Sequence, residues 1–162
     1  MPTPQPPMPM LEKRRIEAAI LKKVYDVLVA RLGVSAAQDI LGAAVIQDAV
    51  AQGKEFANRQ SGHTSLRDFS DVMTLWEMGD ALKIDRLTST DTALEFNVTR
   101  CAYAEMYRDM GMGDIGHLMS CNRDQSFCKG FNPDMDLTVT QTIMKGATHC
   151  DFRYRLRGKN KQ

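Results

Sequence analysis

The 162-residue chain has the composition of an ordinary globular protein, with 43% hydrophobic and 25% charged residues. Its 21 basic and 20 acidic side chains give a net charge of +1. The protein therefore has no overall electric field that would attract nucleic acid or a membrane surface. The apolar runs are too short to span a bilayer. Neither a nucleic acid nor a membrane is therefore expected as a partner.

The N-terminal stretch "MPTPQPPMPM", residues 1–10, is predicted to be a disordered, proline-rich tail. It lacks the apolar core of a secretory signal. All four cysteines lie in the last 62 residues, and without an export signal they are expected to be free thiols. We expect a cytoplasmic protein in which residues 11–158 form one domain.

The first half of the chain has the apolar spacing of helices. One helix is predicted from Leu11 to Leu32, where Gly33 stops it. Ser35 is a good N-cap for a second helix, which continues towards Gly53 or beyond. A third helix is predicted in "LRDFSDVMTLWEMG", residues 66–79, which carries a single apolar stripe.

The second half contains strands as well as helices. "ALKIDRLTSTDTALEFNVTR", residues 81–100, is typical of two strands around a polar turn. Two short helices are predicted at about 101–111 and 114–128, followed by a hairpin in "DLTVTQTIMKGATHCDFRYRLR", residues 136–157. The predicted fold class is α+β, with an antiparallel sheet of two hairpins covered by helices and a helical N-terminal segment.

The second hairpin has a predicted register. With "KGAT" as its loop, Val139 faces Tyr154, and Gln141 and Cys150 lie on the apolar, helix-covered face. His149 points the other way, which excludes a Cys–His pair between these adjacent residues. A buried amide requires partners, so Gln141 is either a substrate contact or a polar bridge to a loop.

Cys121 leads the candidates for chemistry. Together with Asp124, Gln125 and Cys128 it follows helical spacing, so one face could present all four. Nearby Arg123 could lower the pKa of the thiol, and Asp124 could orient a water or act as a general base. The alternative is that Cys121 is a small buried hydrophobe and Asp124 a solvated helix residue.

Cys101 is the second candidate because it stands at the start of a predicted helix. The backbone N–H groups and the helix dipole there favour a thiolate, and Glu105 follows one turn later. The alternative is a core cysteine with an exposed glutamate. The cysteine and histidine spacing contains no C-x2-C pair, so no metal site is predicted and zinc remains only an alternative.

Three blocks together carry a resemblance to a known family. "VTRCAYAEMYRDMG", "LMSCNRDQSF" and "GFNPDMDLTVTQTIMKGATHCDFRYR" resemble the L-2-amino-thiazoline-4-carboxylic acid hydrolase family. The family's motif positions fall on Cys101, Glu105, Cys121, Asp124, Thr142, Gly146 and Cys150. Cys128 does not belong to this pattern. The last block is also similar to the end of the 4-vinyl reductase domain, which binds small ligands.

The resemblance implies a hydrolase that opens a small ring containing a C=N bond. No cofactor is expected, with zinc as the alternative. Cys121 would attack the ring carbon, or Asp124 would direct a water onto it; Cys101 could be the nucleophile instead. Glu105 shares a motif with Cys101 and completes the catalytic candidates. Arg123 is the nearest partner for a substrate carboxylate.

Substrate contacts are assigned to Arg123, Gln141, Thr142 and Cys150. Two other classes of function remain open. The same pocket could serve a non-catalytic binding or sensor domain, with zinc on its cysteines, or the chain could be an assembly partner for another enzyme. The uncovered face of the sheet would allow a homo-oligomer.

Overall fold

Two long helices and a later four-stranded sheet form the framework of the molecule. The computed structural model describes residues 7–60 and 64–158. Most of the predicted tail therefore lies outside the described residues, as does the stretch 61–63. In chain order the elements are α1 (Met10–Leu32), α2 (Val34–Asn58), α3 (Leu66–Glu77), β1 (Leu82–Ser89), β2 (Ala93–Cys101), α4 (Ala102–Asp109), α5 (Gly116–Met119), α6 (Cys121–Phe131), β3 (Met135–Thr138) and β4 (Cys150–Leu156).

Local signals in the sequence set the helix boundaries. Gly33 has a φ of 85°, a left-handed conformation that favours glycine and separates α1 from α2. α3 begins with a capping box, in which the Ser65 hydroxyl accepts from the Asp68 N–H and the Asp68 carboxylate accepts from the Ser65 N–H. These hydrogen bonds to the carboxylate lower the pKa of Asp68.

The sheet is antiparallel, with strand order β1-β2-β4-β3. Six alternate side chains of β2 and β4 point towards the helices and are buried: Leu94, Phe96, Val98, Cys150, Phe152 and Tyr154. The opposite face is polar. There Arg155 pairs with Glu95, and Arg153 donates to Asn97. This one-sided burial confirms the α+β prediction and the first hairpin.

The predicted register of the second hairpin is wrong by two residues. Leu137, not Val139, pairs with Tyr154, and β3 ends at Thr138. The side chain of Asp151 is the physical reason. Its carboxylate accepts hydrogen bonds from the backbone N–H groups of Thr140 (2.8 Å) and Gln141 (3.0 Å), which occupies groups that a longer ladder would pair. A shift of two keeps Leu137 and Cys150 on the inward face.

Gln141 is consequently not a strand residue. It lies in the connection between β3 and β4, and its side-chain amide donates to the backbone carbonyl of His149 at 2.9 Å. The amide therefore bridges to a neighbouring part of this loop, and the substrate contact stays a prediction.

Helix α1 has apolar residues on both sides. The helix was predicted from the spacing of apolar residues that include Ile16, Ile20, Val24 and Val27. These four side chains are 45–63% exposed and face solvent. The inward side carries Ala18, Tyr25 and the buried side chain of Arg14. Periodicity finds the helix but cannot distinguish these two faces.

Candidate functional site

A cavity of about 100 Å³ lies where the two buried clusters of the protein meet. The sheet supplies one wall, and α2, α3 and α6 supply others. This places the cavity among the most buried elements of the fold. Its apolar wall is formed mainly by Phe69, Trp76, Phe96, Phe127, Phe152 and Tyr154.

The aromatic wall is held by ring-to-ring packing. Phe96 and Phe152 stack with centroids 5.1 Å apart, and Trp76 meets Phe127 edge-on at 5.2 Å. Such pairs are more favourable than their buried area alone suggests. Flat, rigid side chains of this kind suit a small ring or another compact apolar group.

The opposite wall is polar and contains buried charges. Arg14, 3% exposed, donates to Glu17 at 2.8 Å and to the side-chain oxygen of Gln52 at 3.1 Å. Arg123, 7% exposed, donates to Asp48 at 2.6 Å and to the Met119 carbonyl at 3.0 Å. The network ties α1, α2 and α6 together behind the cavity and satisfies both guanidinium groups.

Asp124 lies on the first turns of α6 and lines the cavity. Within the described residues its carboxyl group makes no hydrogen bond to another protein group, and it lies beside the two arginines. Burial raises the pKa of Asp124 to about 7, against the opposing effect of Arg14 and Arg123. A carboxyl group of this kind can accept or release a proton near neutral pH.

Three cysteines line the same cavity: Cys101, Cys121 and Cys150. All four cysteines of the chain are free thiols, as predicted. Burial raises the pKa of Cys121 and Cys101, and it raises the pKa of Cys150 to about 11. The three groups are therefore neutral thiols at physiological pH, not thiolates.

The surroundings of Cys101 show why the helix start does not activate it. Its sulfur caps α4 by accepting from the Ala104 N–H at 3.4 Å, as expected from its position. This contact lowers the pKa of the thiol, but the effect of burial is larger. Similarly, the Cys150 sulfur accepts from the Ile143 N–H at 3.2 Å without becoming acidic.

A second, more open space adjoins the cavity, and we call it the groove. It has a volume of about 360 Å³. It is lined by His117 of α5 and Asn122 of α6, and by Thr140, Gln141 and Lys145 from the connection between β3 and β4. Cys121 and Thr142 line both the groove and the cavity.

The structure brings together most of the site residues suggested by the sequence. Cys101, Cys121, Asp124, Arg123, Thr142 and Cys150 all line the cavity. Glu105 does not, because it is exposed and forms an ion pair with Arg100 at 2.7 Å. Gln141 lies in the groove. Cys128 is completely buried in the apolar cluster between the sheet and helices α3 and α6. Its helical spacing from Cys121 therefore did not indicate a position in the site.

Arg14, Gln52 and Asp48 belong to the site region but were not suggested by the sequence. Arg14 occurs in the run "EKRR", where nothing separates it from solvated neighbours. Its burial follows from the way α1 packs on the rest of the chain, which cannot be inferred from local spacing.

Within residues 7–60 and 64–158, no group of three or more His, Cys, Asp and Glu side chains is arranged to hold a metal ion. No helix in the same described ranges combines the length and apolar character needed to cross a bilayer.

Comparison with known proteins identifies a family and a fold. The family model described as L-2-amino-thiazoline-4-carboxylic acid hydrolase matches residues 13–154. No curated protein has a significantly similar sequence.

Two solved structures share the fold at low sequence identity. The phenol-responsive sensory domain of the transcription activator PoxR, solved with phenol, is 15% identical, with a TM-score of 0.52 over 88% of this chain and 74% of that one. A trafficking protein particle complex subunit 3 from Naegleria fowleri, covalently bound to palmitic acid, is 11% identical, with a TM-score of 0.52 over 90% of this chain and 96% of that one.

Proposed function

Because the chain belongs to the L-2-amino-thiazoline-4-carboxylic acid hydrolase family, we propose that it hydrolyses a carbon–nitrogen bond in a small cyclic amidine-type substrate. Asp124 directs the attacking water. The observation that carries this proposal is the Asp124 carboxyl group, which lines the cavity, makes no hydrogen bond to another described residue and has a pKa of about 7.

One carboxyl group can relay both protons that the reaction moves. Ionised Asp124 accepts a proton from water as the water oxygen bonds to the C=N carbon of the ring, and it passes this proton to the ring nitrogen. The resulting tetrahedral intermediate carries a hydroxyl group and a ring N–H. Asp124 then takes the hydroxyl proton as the carbonyl group forms and gives it to the ring nitrogen, which leaves as an amine when its bond to that carbon breaks.

Direct attack by water is favoured over attack by Cys121 because of the state of the thiol. A thiol must lose its proton to become a strong nucleophile, and burial holds the pKa of Cys121 far above neutrality. Asp124 itself adds to this effect through its negative charge. In this proposal Cys101, Cys121 and Cys150 form polar but uncharged contacts around the substrate.

The dimensions of the cavity agree with a small ring. An engineered protein cavity of about 150 Å³ binds benzene, whereas this one measures about 100 Å³. A five-membered ring therefore fits with small adjustments of the side chains, and a peptide does not. The aromatic wall would contact the ring faces and exclude bulk water from the reacting carbon.

The direct test is turnover of 2-amino-thiazoline-4-carboxylate, followed by mass spectrometry for a product heavier by one water. Asp124→Asn should abolish product formation, since the amide cannot take a proton from water. Asp71→Asn, at an exposed position of α3, is the matched control and should retain activity. Product formation by Asp124→Asn at the unmodified rate would refute the role of Asp124.

A second function, binding of a small aromatic compound without turnover, is supported by the aromatic wall. The structurally similar PoxR sensory domain is phenol-responsive. A dose-dependent rise in melting temperature with phenol, without any product from the amidine, would favour this function. Stabilisation by the amidine accompanied by its consumption would favour the hydrolase.

A further inference from the structure

The cavity and the groove meet at Cys121 and Thr142, the two residues that line both spaces. We propose that this pair is the entrance to the site, and that the ligand is a small ring carrying an anionic group, with its ring in the cavity and that group beside Lys145 in the groove. The placement of the ring rests on the proposed function; the entrance does not.

The segment that carries Thr142 is fixed on both sides of this residue. Before it, Asp151 accepts from the N–H groups of Thr140 and Gln141. After it, Arg108 donates to the Ile143 carbonyl at 2.6 Å. The segment is therefore held in place. Thr142 is its residue that contacts Cys121 where the cavity and the groove meet.

The charges around the two spaces decide where an anionic group is held. Arg123 and Arg14 lie at the cavity, but their guanidinium groups are already paired with Asp48, Glu17 and Gln52. In the groove, Lys145 is exposed and has no ion pair with any described residue. Its ammonium group is available to a carboxylate.

The neighbouring histidine does not compete for this role. Burial and the positive charge of Lys145 lower the pKa of His117, so its ring is neutral at physiological pH. Neutral His117 and Asn122 can each hydrogen-bond a polar group at the mouth of the groove. The groove therefore has one cation and several neutral donors, which suits a single carboxylate.

The entrance is tested by the rate at which N-ethylmaleimide labels each cysteine, read by mass spectrometry. Cys101 and Cys150 lie behind the proposed entrance, whereas Cys128 is buried elsewhere and reports global opening. Thr142→Ser removes one methyl group and keeps the hydroxyl that accepts from the backbone N–H of Lys145. It should accelerate labelling of Cys101 and Cys150 but not of Cys128. Thr142→Ile should slow it.

Thr140→Ser is the matched control, because Thr140 lines the groove but lies away from the cavity. It should leave all labelling rates unchanged. Equal acceleration at Cys128 in Thr142→Ser, or no acceleration at Cys101 and Cys150, would overturn the entrance.

The anion position is tested with two probes, 2-amino-thiazoline-4-carboxylate and 2-aminothiazoline, which lacks the carboxylate. Lys145→Ala should weaken binding of the acid about tenfold, the loss expected for one charge-assisted hydrogen bond. Binding of the neutral probe should not change. Lys54→Ala, on the exposed side of α2, is the control. Equal weakening of both probes would overturn the role of Lys145.

Failure of this inference and failure of the proposed function give different results. Thiol labelling requires no turnover, so it reports the entrance even if the amidine is not hydrolysed. Conversely, turnover with unchanged labelling in Thr142→Ser would retain the hydrolase and overturn the entrance.

Discussion

Gly53 of α2 and Gly130 of α6 lie where the backbones of these two helices are in direct contact. A Cβ atom at Gly53 would stand 2.3 Å from the Phe127 carbonyl oxygen, and one at Gly130 would stand 2.2 Å from the Val50 carbonyl oxygen. The obstructing atoms are backbone, which cannot rotate away. This contact sets the position of α6, which carries Cys121 and Asp124.

We predict that Gly53→Ala destabilises the protein although alanine favours helices. The gain in helix propensity is about 1 kcal/mol, and overpacking against a backbone atom costs about 1–3 kcal/mol together with displacement of α6. Gly42→Ala, on the same helix, is the control, because its new Cβ would meet only side chains at 3.6 Å. Urea denaturation should show a lower free energy of unfolding for Gly53→Ala and an equal or higher one for Gly42→Ala. Equal stability of both variants would contradict this interpretation of the helix contact.

Asp124→Asn should make the protein more stable at alkaline pH while removing its activity. The pKa of Asp124 rises from an ordinary 3.8 to about 7 on folding, so the folded state holds the proton more tightly than the unfolded state. This contribution to stability is therefore present at low pH and is lost as pH rises from about 4 to about 7. Each unit of pKa corresponds to about 1.4 kcal/mol, so we expect a gain on the order of 2–4 kcal/mol at about pH 8 and a smaller gain at about pH 5.

The measurement is urea denaturation of both proteins at the two pH values, with Asp71→Asn as the exposed control. A gain that is the same at both pH values would mean that Asp124 does not titrate in this range. A loss of stability at alkaline pH would mean that its carboxylate is stabilised by the arginines more than it is penalised by burial.

The local parts of this fold could be predicted because their signals are local. Gly33 ends α1, the alternation of Leu94, Phe96 and Val98 defines β2, and "TSTDT" turns the first hairpin. The second hairpin was misplaced because the Asp151 side chain replaces strand pairing with its own hydrogen bonds. An alternating pattern does not reveal such a side-chain bond.

The site could be predicted only in part. The motif positions at Cys121, Asp124 and Cys150 do meet at one cavity. The buried network that adjusts Asp124 could not be predicted, since it joins Arg123 to Asp48, 75 positions away in the chain. Long-range pairs of this kind arise from the packing of α2 on α6. The local sequence feature that reflects this packing is the glycine at position 53 and at position 130.

Replacing the cavity cysteines separates a thiol nucleophile from the proposed water route. We predict that Cys121→Ser and Cys101→Ser each retain most of the activity, because neutral thiols and hydroxyls occupy similar positions and hydrogen-bond similarly. The measurement is the initial rate of product formation, with Cys128→Ser as the control for a buried cysteine outside the cavity. Complete loss in Cys121→Ser with unchanged thermal stability would instead identify Cys121 as the nucleophile.

Arg123 should control the pH at which the site becomes active. Its positive charge lowers the pKa of Asp124, so removing that charge with Arg123→Gln should move the pKa of Asp124 upward from about 7. Since the ionised carboxylate is the proposed base, the midpoint of the rise in kcat/KM with pH should move to higher pH. Arg123→Lys keeps a positive charge and should leave the midpoint near its original position. Either variant loses stability, because neither side chain reproduces both the hydrogen bond to Asp48 and the one to the Met119 carbonyl.

Arg67→Gln removes a charge at an exposed site on α3 and controls for net charge. The measurement is kcat/KM over a pH series for all four proteins, and an identical midpoint in Arg123→Gln and Arg123→Lys would show that the arginine acts on Asp124 by packing and not by its charge.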